Sequence, residues 1–122
     1  MRHRRRNRPE QAIQRAIADH LRARAHKDIY WFHPANGGAR TVIEGAILKA
    51  CGVRAGTPDL ICIRGGKTFG LELKAEGGRL SDSQKLAHEE MQRAGAVVAT
   101  ATGIDEPLAT LEEWGMLRGS TS

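Results

Sequence analysis

Two carboxylates and a lysine in this sequence have the spacing of a hydrolytic cation site. They are Asp59, which follows Pro58, and the acid and lysine of the triplet Glu72-Leu73-Lys74. They lie on two apolar runs, residues 58–63 (PDLICI) and 67–73 (KTFGLEL), or just past the end of one, and Gly65-Gly66 separates the runs. A Gly-Gly pair between such runs signals a two-residue hairpin, because both central residues of the turn need positive φ. With the glycines in the turn, Arg64 faces Lys67, and counting outward pairs Ile63 with Thr68, Leu60 with Leu71, and Asp59 with Glu72. Opposed residues share a face with Cβ atoms roughly 4.5–5.5 Å apart. Lys74, two residues beyond Glu72, points to that face too. Like charges this close repel unless something neutralises them. A divalent cation such as Mg2+ takes a few carboxylate oxygens, keeps several waters and leaves room for a phosphate oxygen. A lysine beside it orients or deprotonates a water, or stabilises charge at phosphorus, which suits hydrolysis of a phosphodiester. The competing reading is a strand with ordinary surface charges, in which Asp59 merely opens a strand after Pro58.

The rest of the chain must hold that hairpin. Residues 9–25 form the first periodic stretch, with a proline suited to the first helical turn and Ile13, Ile17 and Leu21 recurring every four residues. A short strand is expected over residues 29–33 and a loop over 34–38. Thr41-Val42-Ile43-Glu44 has capping-box spacing and opens a helix that Gly52 stops. Ser81-Asp82-Ser83-Gln84 is a second capping box, opening a helix to about Ala94 with Gly95 past its end. Residues 96–100 (AVVAT) read as a strand, and a last helix from about Glu106 carries Leu108, Leu111 and Trp114. The order α-β-α-β-β-α-β-α makes an α/β domain, a mixed sheet flanked by helices. A chain of 122 residues fits one such domain. Its expected extent is residues 9–117, between a basic N-terminal arm at 1–8 and a loose tail at 118–122.

Two more polar side chains align with the hairpin. Glu10 shares a helical stripe with Ile13 and Ile17 and so faces inward; alternatively it is a first-turn acid complementing the helix dipole. Gln84 lines up with Ala87, Met91 and Ala94, and alternatively is only the capping glutamine.

The net charge is +5, and the pI is near 9.8. This basic excess favours polyanions, whose condensed counterions are released on binding. Arg2, His3, Arg4, Arg5, Arg6 and Arg8 crowd at the N-terminus; they read either as a solvated tail or as an arm gripping a nucleic-acid backbone. Cys51 and Cys62 form no CxxC pair and sit in apolar runs, the pattern of reduced core thiols in a cytosolic protein. No apolar run approaches the roughly 20 residues that span a bilayer, so no membrane partner is expected. His33 stands at a loop edge, where it either lies near the site or, the reading favoured, is structural; Trp31 and Trp114 read as core rather than base-stacking platforms. His20, His26 and His88 have no metal-ligand spacing with one another.

With these residues in order, the chain resembles the PD-(D/E)XK nuclease superfamily and, within it, the VRR-NUC branch. The superfamily pattern is Pro58-Asp59 followed by Glu72-Leu73-Lys74. The branch adds the early helical Glu10, Asn36-Gly37-Gly38-Ala39-Arg40, Gly52, Gly56-Thr57-Pro58-Asp59-Leu60, Gly77-Gly78-Arg79-Leu80-Ser81, Gln84 and Gly95. The likeness covers roughly residues 9–100. A Pro-Asp and Glu-x-Lys pattern alone recurs by chance; the ordered set is far more specific. It implies a restriction-endonuclease-like core and an endonuclease acting on DNA with Mg2+ or Mn2+. Asp59, Glu72 and the Leu73 carbonyl would bind the metal, with Glu10 reaching it through a water. Lys74 would assist the attacking water, and Glu10 and Gln84 would support the site. Arg4, Arg5, Arg6, Arg40, Lys49 and Arg79 would contact phosphates, and are otherwise ordinary surface charges. Standalone members resemble homodimeric enzymes that cut DNA junctions and are typical of phages and bacteria. The implied setting is branched DNA, such as a four-way junction, in the cytoplasm of a bacterial or phage-infected cell. A domain this small has little surface for base-specific readout, which agrees with recognition by backbone and shape. The rival from another class is a module that binds branched DNA without cutting it, as a subunit of a larger repair or replication assembly. Retention of Asp59, Glu72 and Lys74 speaks against it.

Overall fold

The structure, a computed structural model, describes residues 2–35 and 41–119, and over residues 2–8 the backbone alone. Its elements run α1 (Arg2–Arg24), β1 (Ile29–Phe32), α2 (Val42–Ala50), β2 (Leu60–Arg64), β3 (Lys67–Lys74), α3 (Asp82–Arg93), β4 (Val97–Thr102) and α4 (Asp105–Glu113). This is the order the sequence predicts.

Local chemistry sets the boundaries. Thr41 caps α2 and Ser81 caps α3, each through a complete capping box, with Glu44 and Gln84 as the returning side chains. Such a cap is worth about 1 kcal/mol. Gly65 and Gly66 take φ of 56° and 78°, which a side chain would resist, and the turn locks the register of the hairpin. Arg64 pairs with Lys67, Ile63 with Thr68 and Leu60 with Leu71, as counted from the glycines.

The four strands lie in the order β1-β2-β3-β4. Strand β2 runs antiparallel to its neighbours β1 and β3, and β4 runs parallel to β3. Alternation along the strands separates two faces. Leu60, Cys62, Leu71, Leu73 and Ala101 enter one core with Ile13, Ile17 and Leu21 of α1, Leu111 of α4, and Met116 and Leu117 beyond it. Each large side chain buried there contributes about 1.5–3 kcal/mol. Trp31 and Trp114 pack against the rim of this core, as expected; Trp114 meets Phe69 with ring centroids 5.2 Å apart. The opposite face carries Gly70 and Glu72 and meets α3: a Cβ on Gly70 would lie 3.2 Å from Met91 Cε.

Three expectations need correction. The first helix starts at Arg2, so Pro9 lies inside it and forfeits one i→i−4 bond. The segment set apart as an arm thus continues α1 as helical backbone. The side chains of Arg4, Arg5 and Arg6 lie outside the described residues, as does Arg40. The tail is tied at residue 118: Arg118 N–H donates to the Arg24 carbonyl at 2.8 Å, and the Arg24 guanidinium donates to the Arg118 carbonyl at 2.7 and 3.1 Å. Cys62 is buried as expected, and burial pushes its thiol up to about 12. Cys51, expected in the core, is exposed, because α2 buries none of its residues.

Candidate active site

The pairing of β2 with β3 ends at Leu60 with Leu71, and Asp59, in the bend just before β2, lies close enough to Glu72 to act on its carboxyl. Asp59 Oδ2 accepts the Leu73 N–H at 2.9 Å, which anchors the aspartate across the end of the hairpin. Its carboxyl lies beside that of Glu72 and raises its pKa. Two ionised carboxylates there would offer each other only acceptors. Glu72 is 1% exposed. Burial pushes its carboxyl up to about 9, reinforced by the hydrogen bond and charge of Asp59 and by the charge of Glu10, against the opposing pull of Lys74.

Lys74 follows on the same face and is itself buried, at 7% exposure. A lysine this deep needs anionic neighbours, and the carboxylates supply them. Glu10 reaches the cluster from the half-buried face of α1. Both its Oε2 and Lys74 Cδ border Gly78, at 3.4 and 3.3 Å from where a Cβ would stand.

Gln84 satisfies both readings of it at once. Its Oε1 accepts the Ser81 N–H at 2.9 Å to close the cap, while its Nε2 donates to Glu72 Oε2 at 3.2 Å. The Gly56-Thr57-Pro58-Asp59 loop makes this contact achievable. Gly56 has φ of 82°, and a Cβ there would fall 2.2 Å from the Ser83 carbonyl oxygen. Only a bare backbone lets the loop press against the start of α3, which sets Asp59, Glu72 and Gln84 together.

One residue escaped the sequence reading and another was read there chiefly as structural. His88 Nε2 is hydrogen-bonded to Glu72 Oε1 at 3.1 Å, the direction following the ring's tautomer. Burial, with the Lys74 charge adding to it, holds this imidazole below its usual value against the pull of Asp59, so it is neutral at neutral pH. The available signal was helical spacing: residues 84 and 88 are neighbours on one face. His33 Nδ1 donates to the Asp59 main-chain carbonyl at 2.5 Å, a contact no local pattern announces. Of the expected phosphate contacts, Lys49 and Arg79 are exposed, Arg79 on the loop between β3 and α3.

The donor chemistry fits a hard divalent cation. Among the described residues no set of three His, Cys, Asp and Glu side chains forms a ligand cage. What remains is an oxygen-only set of two carboxylates and a nearby main-chain carbonyl, the kind Mg2+ and Mn2+ occupy while keeping several waters. The mutual repulsion of Asp59, Glu72 and Glu10 marks where positive charge is wanted.

A mixed four-stranded sheet between helices, with an acid pair and a lysine at the end of its central hairpin, is the restriction-endonuclease-like arrangement. Residues 8–105 match the VRR-NUC domain, and the chain belongs to that family, a nuclease-type family acting on DNA. A solved structure described as a VRR_NUC domain protein has a similar fold, with a TM-score of 0.71, 24% identity, and 87% of each chain covered. No curated protein matches this chain. No helix among the described residues is long and apolar enough to cross a membrane.

Proposed function

We propose that this protein is a Mg2+- or Mn2+-dependent DNA endonuclease selective for branched DNA such as four-way junctions, acting as a homodimer. The observation that carries the proposal is the buried Asp59–Glu72 contact beside Lys74 and Glu10. Burying like charges is costly, and no core is improved by it. A bound cation turns that cost into attraction.

Asp59, Glu72 and the Leu73 carbonyl would hold the ion. In an extended strand the N–H and C=O of one residue leave on the same side, so the Leu73 carbonyl shares the edge whose N–H meets Asp59. When bound, the cation would supply Lewis acidity at the phosphate and acidify a water. Lys74 then orients that water or steadies charge at phosphorus. Gln84 fixes the Glu72 carboxylate, and Glu10 takes part through a water. The arginines at positions 4, 5, 6 and 40, with Lys49 and Arg79, would grip the backbone. The buried, un-ionised Cys62 thiol fits the reducing cytoplasm of a bacterial or phage-infected cell.

The homodimer rests on α2. Val42, Ile43 and Ile47 are 89%, 73% and 57% exposed, an apolar face unusual for a free surface. A second copy that covers it would pair two active sites across a two-fold axis, matching the two strands a junction requires cut. Ile47→Lys is therefore expected to convert a dimer to a monomer by light scattering while the circular dichroism stays native. A wild type that runs as a monomer at micromolar concentration would remove this part of the reading.

The decisive experiment is a cleavage panel of linear, nicked, flapped and four-way DNA with each divalent ion. Four-way DNA is expected to be cut with Mg2+ or Mn2+, and bound but uncut with Ca2+. Junction binding without cleavage under every ion would favour the non-cleaving module instead.

A further inference from the structure

Each Glu72 carboxylate oxygen has one hydrogen-bond partner: Gln84 Nε2 donates to Oε2 at 3.2 Å, and His88 Nε2 stands 3.1 Å from Oε1, donating when the ring carries its proton on Nε2. Both partners come from α3, four residues apart, so a single rigid helical face presents them one turn from each other. Glu72 and His88 are 1% and 7% exposed, so bulk water does not substitute for either bond. A buried carboxylate oxygen that loses its donor is left unsatisfied or must turn.

We propose that His88 is a positioning residue for the cation site: with Gln84 it clamps the plane of the Glu72 carboxylate, so that the ligand oxygen is aimed before any ion arrives. The inference rests on the metal-ion reading given above. An unclamped glutamate must surrender the rotation of its carboxylate when it binds an ion; this one surrenders it on folding. Each oxygen gives one lone pair to the clamp and retains another. The ring donates from Nε2 both as the cation and as the Nε2–H neutral tautomer, so the clamp requires no titration. Removing an outer partner of this kind typically weakens metal binding about 10–100-fold.

The test is calorimetric titration of the full-length wild type, His88→Leu and His88→Gln with Mn2+ alone. His88→Leu is expected to weaken Mn2+ binding about 10–100-fold. His88→Gln, whose amide nitrogen stands in for Nε2, is expected to recover to within a few-fold. A packing role alone would leave His88→Gln as impaired as His88→Leu, and that result overturns the proposal. So does unchanged binding in both variants. A wild type that takes up no Mn2+ removes the metal-ion reading itself, and this inference with it. A second measurement needs no variant: nitrogen-15 NMR of wild-type imidazoles should find the His88 proton on Nε2 with and without Mg2+. A proton on Nδ1 overturns the clamp even where His88→Leu fails to fold.

Discussion

Alanine at Asp59, Glu72 or Lys74 is expected to slow DNA cleavage by at least about a thousandfold, the scale on which transition-state charge stabilisation is lost. DNA affinity should stay within a few-fold, because backbone contacts from exposed arginines and lysines, not the acidic cluster, supply it. The three variants should fail differently. Asp59→Ala and Glu72→Ala remove ligand oxygens, so their Mn2+ affinity falls with their activity. Lys74→Ala removes the buried ammonium beside the carboxylates and leaves the donor oxygens in place, so it should bind Mn2+ and DNA together yet turn over slowly. Single-turnover cleavage, Mn2+ calorimetry and filter binding on the same preparations separate these outcomes. Cleavage within tenfold of wild type by all three variants, after contaminating nuclease is excluded, would remove the site from the argument.

Glu72→Gln should stabilise the metal-free protein at pH 8 while abolishing its cleavage. The Glu72 carboxyl ionises near 4.5 when unfolded and near 9 when buried beside Asp59. A value raised by folding means the favourable protonated state is fully available below 4.5, and stability drains away as pH climbs toward 9. An amide escapes that loss. At pH 8 the gain has a ceiling of about 5 kcal/mol, the roughly 3.5 pH units above 4.5 at about 1.4 kcal/mol each, enough to raise Tm by several degrees or more. The gap should close toward pH 4.5, where Glu72 keeps its proton in both states. Saturating Mg2+ should reverse the ranking at pH 8, because only the wild type gains from binding the ion. Melting curves at both pH values, with EDTA and with Mg2+, measure all four corners. A wild type that matches the variant under EDTA at pH 8 would mean the acid pair carries no strain for a cation to relieve.

The proposed site and the apolar core occupy opposite faces of the sheet. The Asp59–Glu72 contact, the buried Lys74 and the buried His88 stand at the end of β3, away from the apolar core that α1 and α4 close over the other face. That core must supply the free energy that the polar cluster consumes, as strained functional sites generally require.

The hairpin register could be read directly from residues 58–74, since paired positions sum to a constant and two glycines mark the centre. Both capping boxes and the stripe of Ile13, Ile17 and Leu21 were equally legible. Each depends on neighbours within about one turn or across one tight reversal, so the chain encodes it locally. The His88–Glu72 and His33–Asp59 bonds join residues 16 and 26 positions apart. No periodicity reports where one face of α3 meets β3; packing decides it, through Gly56 against Ser83 and Gly70 against Pro58 and Met91. The same holds for what fails to pack. A helix over residues 42–50 was evident from Thr41 and Glu44, yet Cys51 at its end, expected in the core, is left exposed by the fold. Helix formation answers to local capping and spacing, whereas burial requires a surface to meet, and only the assembled sheet determines which surfaces exist.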